Sequence, residues 1–177
     1  MKKFMSLIVF IVPLVTAAAD NGGGGIISGT HLNYGQFANY ELKATYFGGF
    51  GYGASDRGTR VGGFGVTILD NSDEHLLIGG FGGTIVGQEF TAHPVTVAAT
   101  SWTGLGGIAA DLQGGRGGYF AFMEEISFEA GIAVVPWMQI VMYAGFQIIG
   151  SILPGFMFNE AFSYTPTFGL RIAFGSF

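Results

Sequence analysis

Acid–base chemistry near neutral pH rests here on three histidines, twelve Asp or Glu and seven Lys or Arg, with no cysteine anywhere. His31 follows Thr30, His75 follows Asp73-Glu74, and His93 precedes Pro94. A nucleophilic mechanism needs a hydroxyl or thiol beside a base that a third group orients, and none of the three histidines has that spacing. They are also too dispersed along the chain to suggest a zinc site. Glu124-Glu125 has the composition of a paired-carboxylate acid–base site, but adjacent residues on a strand face opposite sides. Gly-Gly-Phe-Gly recurs at Gly48, Gly62 and Gly79. A phosphate cradle would need a Gly-rich loop opening a helix, and neither a GK[ST] nor a GxGxxG pattern is present. No catalytic residue, cofactor or metal is expected.

The elements that would position these residues follow from composition. Charged residues are 11% of the chain, against roughly a quarter in ordinary soluble domains, while hydrophobic residues reach 49%, with 18 Phe and 32 Gly. So few charges could hardly cover a water-facing surface, which points to lipid as the solvent. At the N-terminus, Lys2 and Lys3 precede the apolar run Phe4 to Val15, and Ala17-Ala18-Ala19 offers a cleavage site before Asp20. This is the layout of a cleaved secretory signal peptide over residues 1–19. Residues 20–177 then form a single domain, with 20–30, including Gly22 to Gly25, expected as a flexible Gly-rich tail. Without the leader, Lys43, Arg57, Arg60, Arg116 and Arg171 face all twelve acids. A chain so acidic and without a basic cluster is a poor partner for nucleic acid.

Only helices and closed barrels satisfy their backbone hydrogen bonds inside lipid, so the apolar period decides between them. Ile126, Phe128, Ala130, Ile132 and Val134 alternate with Ser127, Glu129, Gly131 and Ala133, a period of two. Phe168, Leu170, Ile172 and Phe174 alternate likewise with Thr167, Gly169, Arg171 and Ala173. Tyr40, Leu42, Ala44, Tyr46, Phe50 and Tyr52 share one parity, and Glu41, Lys43 and Thr45 the other. The uncharged run Ala130 to Leu153 is long enough for a spanning helix, and a helical inner-membrane protein is the structural rival. Pro136, Gln139, Gln147 and three glycines inside that run favour two strands turning near Pro136. The predicted fold is all-β: an antiparallel up-and-down transmembrane barrel of about eight strands. The candidates are Tyr40–Tyr52, Thr59–Leu69, His75–Gly87, Val95–Trp102, Gly104–Leu112, Tyr119–Val135, Trp137–Gly150 and Ser163–Phe174. The glycine repeats read as points where a narrow wall bends, each bared backbone covered by a neighbouring aromatic. Trp102, Tyr119, Trp137 and Tyr164 read as interfacial aromatics near strand ends.

On this parity Glu41, Lys43, Glu129, Gln139, Gln147 and Arg171 point inward. Pairing of the first and last strands would bring Glu41 and Lys43 to Arg171, so an interior ion-pair cluster of Glu41, Lys43, Glu129 and Arg171 is expected. An eight-stranded barrel is just wide enough for side chains to fill it, which makes that cluster a structural plug rather than a conduction path.

The chain ends Thr167-Phe168-Gly169-Leu170-Arg171-Ile172-Ala173-Phe174-Gly175-Ser176-Phe177. Here it resembles the bacterial outer-membrane β-barrel family, whose last strand alternates and closes on a terminal aromatic read by the assembly machinery. The resemblance implies location in the outer membrane, contact with its lipid, and an assembly signal made of Phe168, Leu170, Ile172, Phe174 and Phe177. Phe177 has the opposite parity to the other four, and a bulge near Gly175 would bring it into register. Some small barrels of this class are lipid-modifying enzymes using His with Ser or Asp, a constellation not recognised here. The expected role is therefore structural or surface-interacting and non-enzymatic, with loops carrying any extracellular ligand. A narrow pore, a lipid-modifying enzyme and a soluble periplasmic ligand-binding barrel are the alternatives.

Overall fold

The computed structural model describes residues 21–31, 36–37, 40–41, 45–71, 76–112, 115–151 and 162–176. Its regular structure is all strand: β1 (Asn21–His31), β2 (Gln36–Phe37), β3 (Tyr40–Glu41), β4 (Thr45–Ala54), β5 (Thr59–Asn71), β6 (Leu76–Ala92), β7 (Val95–Leu112), β8 (Gly115–Val135), β9 (Met138–Ser151) and β10 (Phe162–Ser176). Eight of these close into one antiparallel barrel in the order β1-β10-β9-β8-β7-β6-β5-β4, and β2 pairs with β3 in a separate two-stranded sheet. Closure leaves the eight-stranded wall no free edge, which is what strands need in a medium without water to satisfy their backbone. No described helix is long and apolar enough to cross a membrane. The uncharged stretch from Ala130 to Ser151 is the end of β8, a turn at Pro136-Trp137, and β9.

A path of paired residues once round the wall runs Asn21, Ala54, Arg60, Gly87, Thr100, Ser127, Gly145, Thr167 and back to β1 at His31. It returns ten residues further along its own strand, the stagger that tilts strands by about 40° from the barrel axis. One end of the barrel carries the turns after β4, β6 and β8, of four, two and two residues, together with the start of β1 and the end of β10. The other end carries the connections 32–44 and 152–161, the first of which contains β2 and β3.

Several expectations need correction. Gly22 to Gly25 belong to no tail: they are wall strand β1, hydrogen-bonded to both β10 and β4. Four glycines in a row are tolerated because neighbours on both sides supply the ladder. Val95–Trp102 and Gly104–Leu112 are one strand, β7, since Thr103 continues the register with β6 and β8. Tyr40–Tyr52 is not one strand. Glu41 lies in β3, and the wall strand begins at Thr45. No bulge occurs near Gly175, whose register with β1 runs unbroken through Ser176. Phe177, Lys43 and the leader 1–19 lie outside the described residues.

The alternation of β8, β9 and β10 places apolar side chains outside: Ile126, Phe128, Ile132, Val134, Met142, Phe146, Phe168, Leu170, Ile172 and Phe174 are all exposed. Such a band, flanked by aromatics, is the surface of a barrel immersed in lipid. Trp137 stacks on Phe174 at the short-turn end, and Tyr164 packs on Phe146 toward the other. In β4 the parity is the reverse of that expected. Tyr46, Phe50 and Tyr52 are buried inside the barrel and Thr45 is exposed. The repeats explain why: Phe50, Phe64 and Phe81 all point inward, at 4%, 6% and 4% exposure. Phe50 and Phe64 are register partners, and the outer face between them is left to glycine. Trp102 is likewise an interior residue in mid-β7, 5.1 Å from Phe64 and 5.8 Å from Phe50 between ring centres, and not a girdle residue.

Candidate functional site

The barrel interior is where chemistry-bearing side chains converge. Arg171 is inward because its neighbours Leu170 and Ile172 face out, and a guanidinium so buried must find partners or cost several kcal/mol. Its Nη1 donates to Glu129 Oε1, and its Nη2 to Glu125 Oε1 at 3.4 Å. The guanidinium plane is held between two rings, 4.1 Å from the centre of Trp102 and 4.0 Å from that of Tyr143. A desolvated cation over an aromatic face is stabilised by about 2 kcal/mol.

Glu129 is shared. Its Oε2 accepts from Arg60 Nη1 at 2.7 Å, and its Oε1 also accepts from Thr100 Oγ1 at 2.7 Å. Arg60 in turn donates from Nε to Glu89 and lies over the ring of Tyr52 at 4.3 Å. Thr100 joins Ser127 at 3.0 Å and accepts the indole N–H of Trp102 at 3.0 Å. Gln147 donates to Glu125 at 3.2 Å, and the hydroxyls of Tyr46 and Tyr143 are hydrogen-bonded to each other. The result is one chain of charges, Glu89–Arg60–Glu129–Arg171–Glu125, spread over β6, β5, β8 and β10. Each carboxylate takes charge-assisted hydrogen bonds, which are shorter and stronger than neutral ones.

Of the four residues expected to share the interior, the structure joins Glu129 and Arg171 directly. Glu41 lies in the separate β2-β3 sheet, and Lys43 lies outside the described residues. The remaining partners are Arg60, Glu89 and Glu125. Arg60 escaped notice because it shares parity with Phe64, Val66 and Ile68, a face that reads as lipid-facing until the ring positions are known. Glu125 is 2% exposed, and Glu124, one residue earlier, faces out, as adjacent strand residues must. There Glu124 accepts hydrogen bonds from Ser101 and Thr103, each at 2.5 Å. Gln139 and Gln147 both lie inside, 1% exposed.

The network is a continuous set of buried ion pairs tied together by hydrogen bonds. Among the described residues no three His, Asp or Glu gather in a way that would hold a metal ion. His93 sits in the exposed two-residue turn between β6 and β7.

No family model and no curated protein matches this sequence. Solved structures do match in shape. A crystal structure of Neisserial surface protein A aligns with a TM-score of 0.64 at 11% identity, over 87% of this chain and 96% of that one. A crystal structure of Ail, the attachment invasion locus protein of Yersinia pestis, aligns with a TM-score of 0.58 at 11% identity, over 89% of this chain and 99% of that one. At such identity the likeness is one of fold. With closure, strand number and apolar exterior already established, the chain has the fold of the small bacterial outer-membrane β-barrels that its last strand resembles.

Proposed function

We propose that this chain is an outer-membrane barrel with a surface-interaction role, whose interior is filled by side chains and whose long connections meet the partner. The observation that carries this reading is the interior itself. Arg171, Glu129, Arg60, Trp102 and Phe64 are all buried and joined to one another by ion pairs and ring contacts, which supports a filled interior. An eight-stranded wall leaves room for little else. The two longest connections, 32–44 and 152–161, lie at the end opposite the short turns. In outer-membrane barrels that is the extracellular side. The names of the two similar structures, a surface protein and an attachment invasion locus protein, fit the same role. We propose further that residues 1–19 are removed on export. Phe168, Leu170, Ile172, Phe174 and Phe177 form the segment that the assembly machinery reads.

Two measurements test this. The purified chain reconstituted in a planar lipid bilayer should give no discrete conductance steps, and regular steps would overturn the filled interior. Cells displaying the chain with 152–161 replaced by a two-residue turn should keep the heat-dependent gel shift of a folded barrel while losing the adherence of cells displaying the intact chain. Unchanged adherence would remove that connection from the proposal.

A further inference from the structure

The carboxyl pair Glu124-Glu125 is divided by the wall. Glu125 joins the interior network, and Glu124 faces out from the middle of β8. Both oxygens of Glu124 accept hydrogen bonds, from Ser101 and Thr103 of β7 at 2.5 Å each. Thr103 is also the register partner of Thr84 on β6, and both threonines are exposed. Thr84, Thr103 and Glu124 therefore form a polar row across the outside of three adjacent strands.

This row lies inside the apolar band. The rows on either side of it carry Val86 and Ile126 on one side and Leu105 on the other, all exposed. A carboxyl group turned toward hydrocarbon is costly, and an ionisable group kept there as a rule has a partner. The same row continues onto β5, β4 and β1 as Gly63, Gly51 and Gly24. No side chain projects there to hold a second surface away, and small residues are what let elements pack closely in lipid.

The polar groups are complementary to themselves. Glu124 offers acceptors and Thr84 a hydroxyl donor, one strand to either side of Thr103. A two-fold axis beside Thr103 exchanges the two sides, so that Glu124 of each copy faces Thr84 of the other. That reciprocity is what an isologous dimer requires. Lipid tails bring no donor to the carboxyl group; a second copy brings one.

We infer that the outer face of β6 to β8 is an interface with a second copy of this chain in the bilayer, centred on Thr84, Thr103 and Glu124. The inference rests on the membrane-barrel reading above. The chain has no cysteine, so a single introduced thiol can link only two copies. Thr103→Cys in the full-length chain, folded in phosphatidylcholine bilayers, should form a disulfide dimer on mild oxidation, while Leu170→Cys on β10 stays monomeric. Adding Glu124→Leu or Thr84→Val to Thr103→Cys should slow the cross-linking roughly tenfold, the worth of two hydrogen bonds in lipid. Should Glu124→Leu fail to fold, Thr84→Val carries the same test. The heat-dependent gel shift of each variant reports the folded barrel separately, so its loss counts against the barrel and not the interface. Equal cross-linking at Thr103→Cys and Leu170→Cys, a Thr103→Cys chain that stays monomeric, or a rate unmoved by either added substitution would overturn the interface.

Discussion

Arg171 holds two carboxylates and two aromatic faces, at 1% exposure. Arg171→Ala would leave Glu129 with one guanidinium and Glu125 with none. Breaking a buried pair from one side costs about 3–5 kcal/mol, so the temperature at which the heat-dependent gel shift is lost should fall by roughly 10 °C. A fall of under about 2 °C would mean that the network adds nothing to stability. At this scale the sequence was partly legible. Period two alone put Glu129, Gln139, Gln147 and Arg171 on the inner face. Arg60 and Glu89 were missed because their strands carry aromatics on the inner face, and alternation alone cannot tell an aromatic inside from an aromatic in lipid.

The strands achieve their packing by pairing rings with glycines. Gly104 on β7 faces inward, and a Cβ added there would meet the ring of Phe64 at 2.8 Å. The glycine is the space that the ring occupies, much as an aromatic covers a bare backbone in other sheets. Gly104→Ala should destabilise the barrel by about 1–3 kcal/mol through overpacking. Adding Phe64→Leu should recover part of the loss, and thermal unfolding of the double variant measures it; no recovery would separate the two positions. Strand identity was largely readable from alternation in β8, β9 and β10. It was not readable in β1, where a run of glycines carries no pattern and only the neighbours on either side make it a strand.

Across the whole molecule, the two halves of the wall follow opposite rules. Strands β8 to β10 are apolar outside and polar inside, with Phe128 at 70% exposure and Glu125, Glu129 and Gln139 buried. Strands β4 to β6 put rings inside and leave glycines such as Gly51, Gly63 and Gly82 on the outer face. The first rule is the one that sequence reasoning assumes, which is why the fold class was legible and half of the inner face was not. Phe128→Arg introduces a charge into the lipid-facing band and should cost about 2–4 kcal/mol near mid-membrane. Its yield of folded, heat-shifting protein in bilayers should drop, and full insertion would place Phe128 outside the hydrocarbon.

Closure of the wall depends on β1 meeting β10, so that Ile27 sits beside Arg171. One side of that seam is made at the beginning of the barrel and the other at its very end. Until the last strand arrives, the first strand presents an unpaired row of amides and carbonyls, with no side chains along Gly22 to Gly25 to shield it, the kind of edge that recruits foreign strands. Folding of this barrel therefore has to keep its first strand shielded for as long as it takes to place the last.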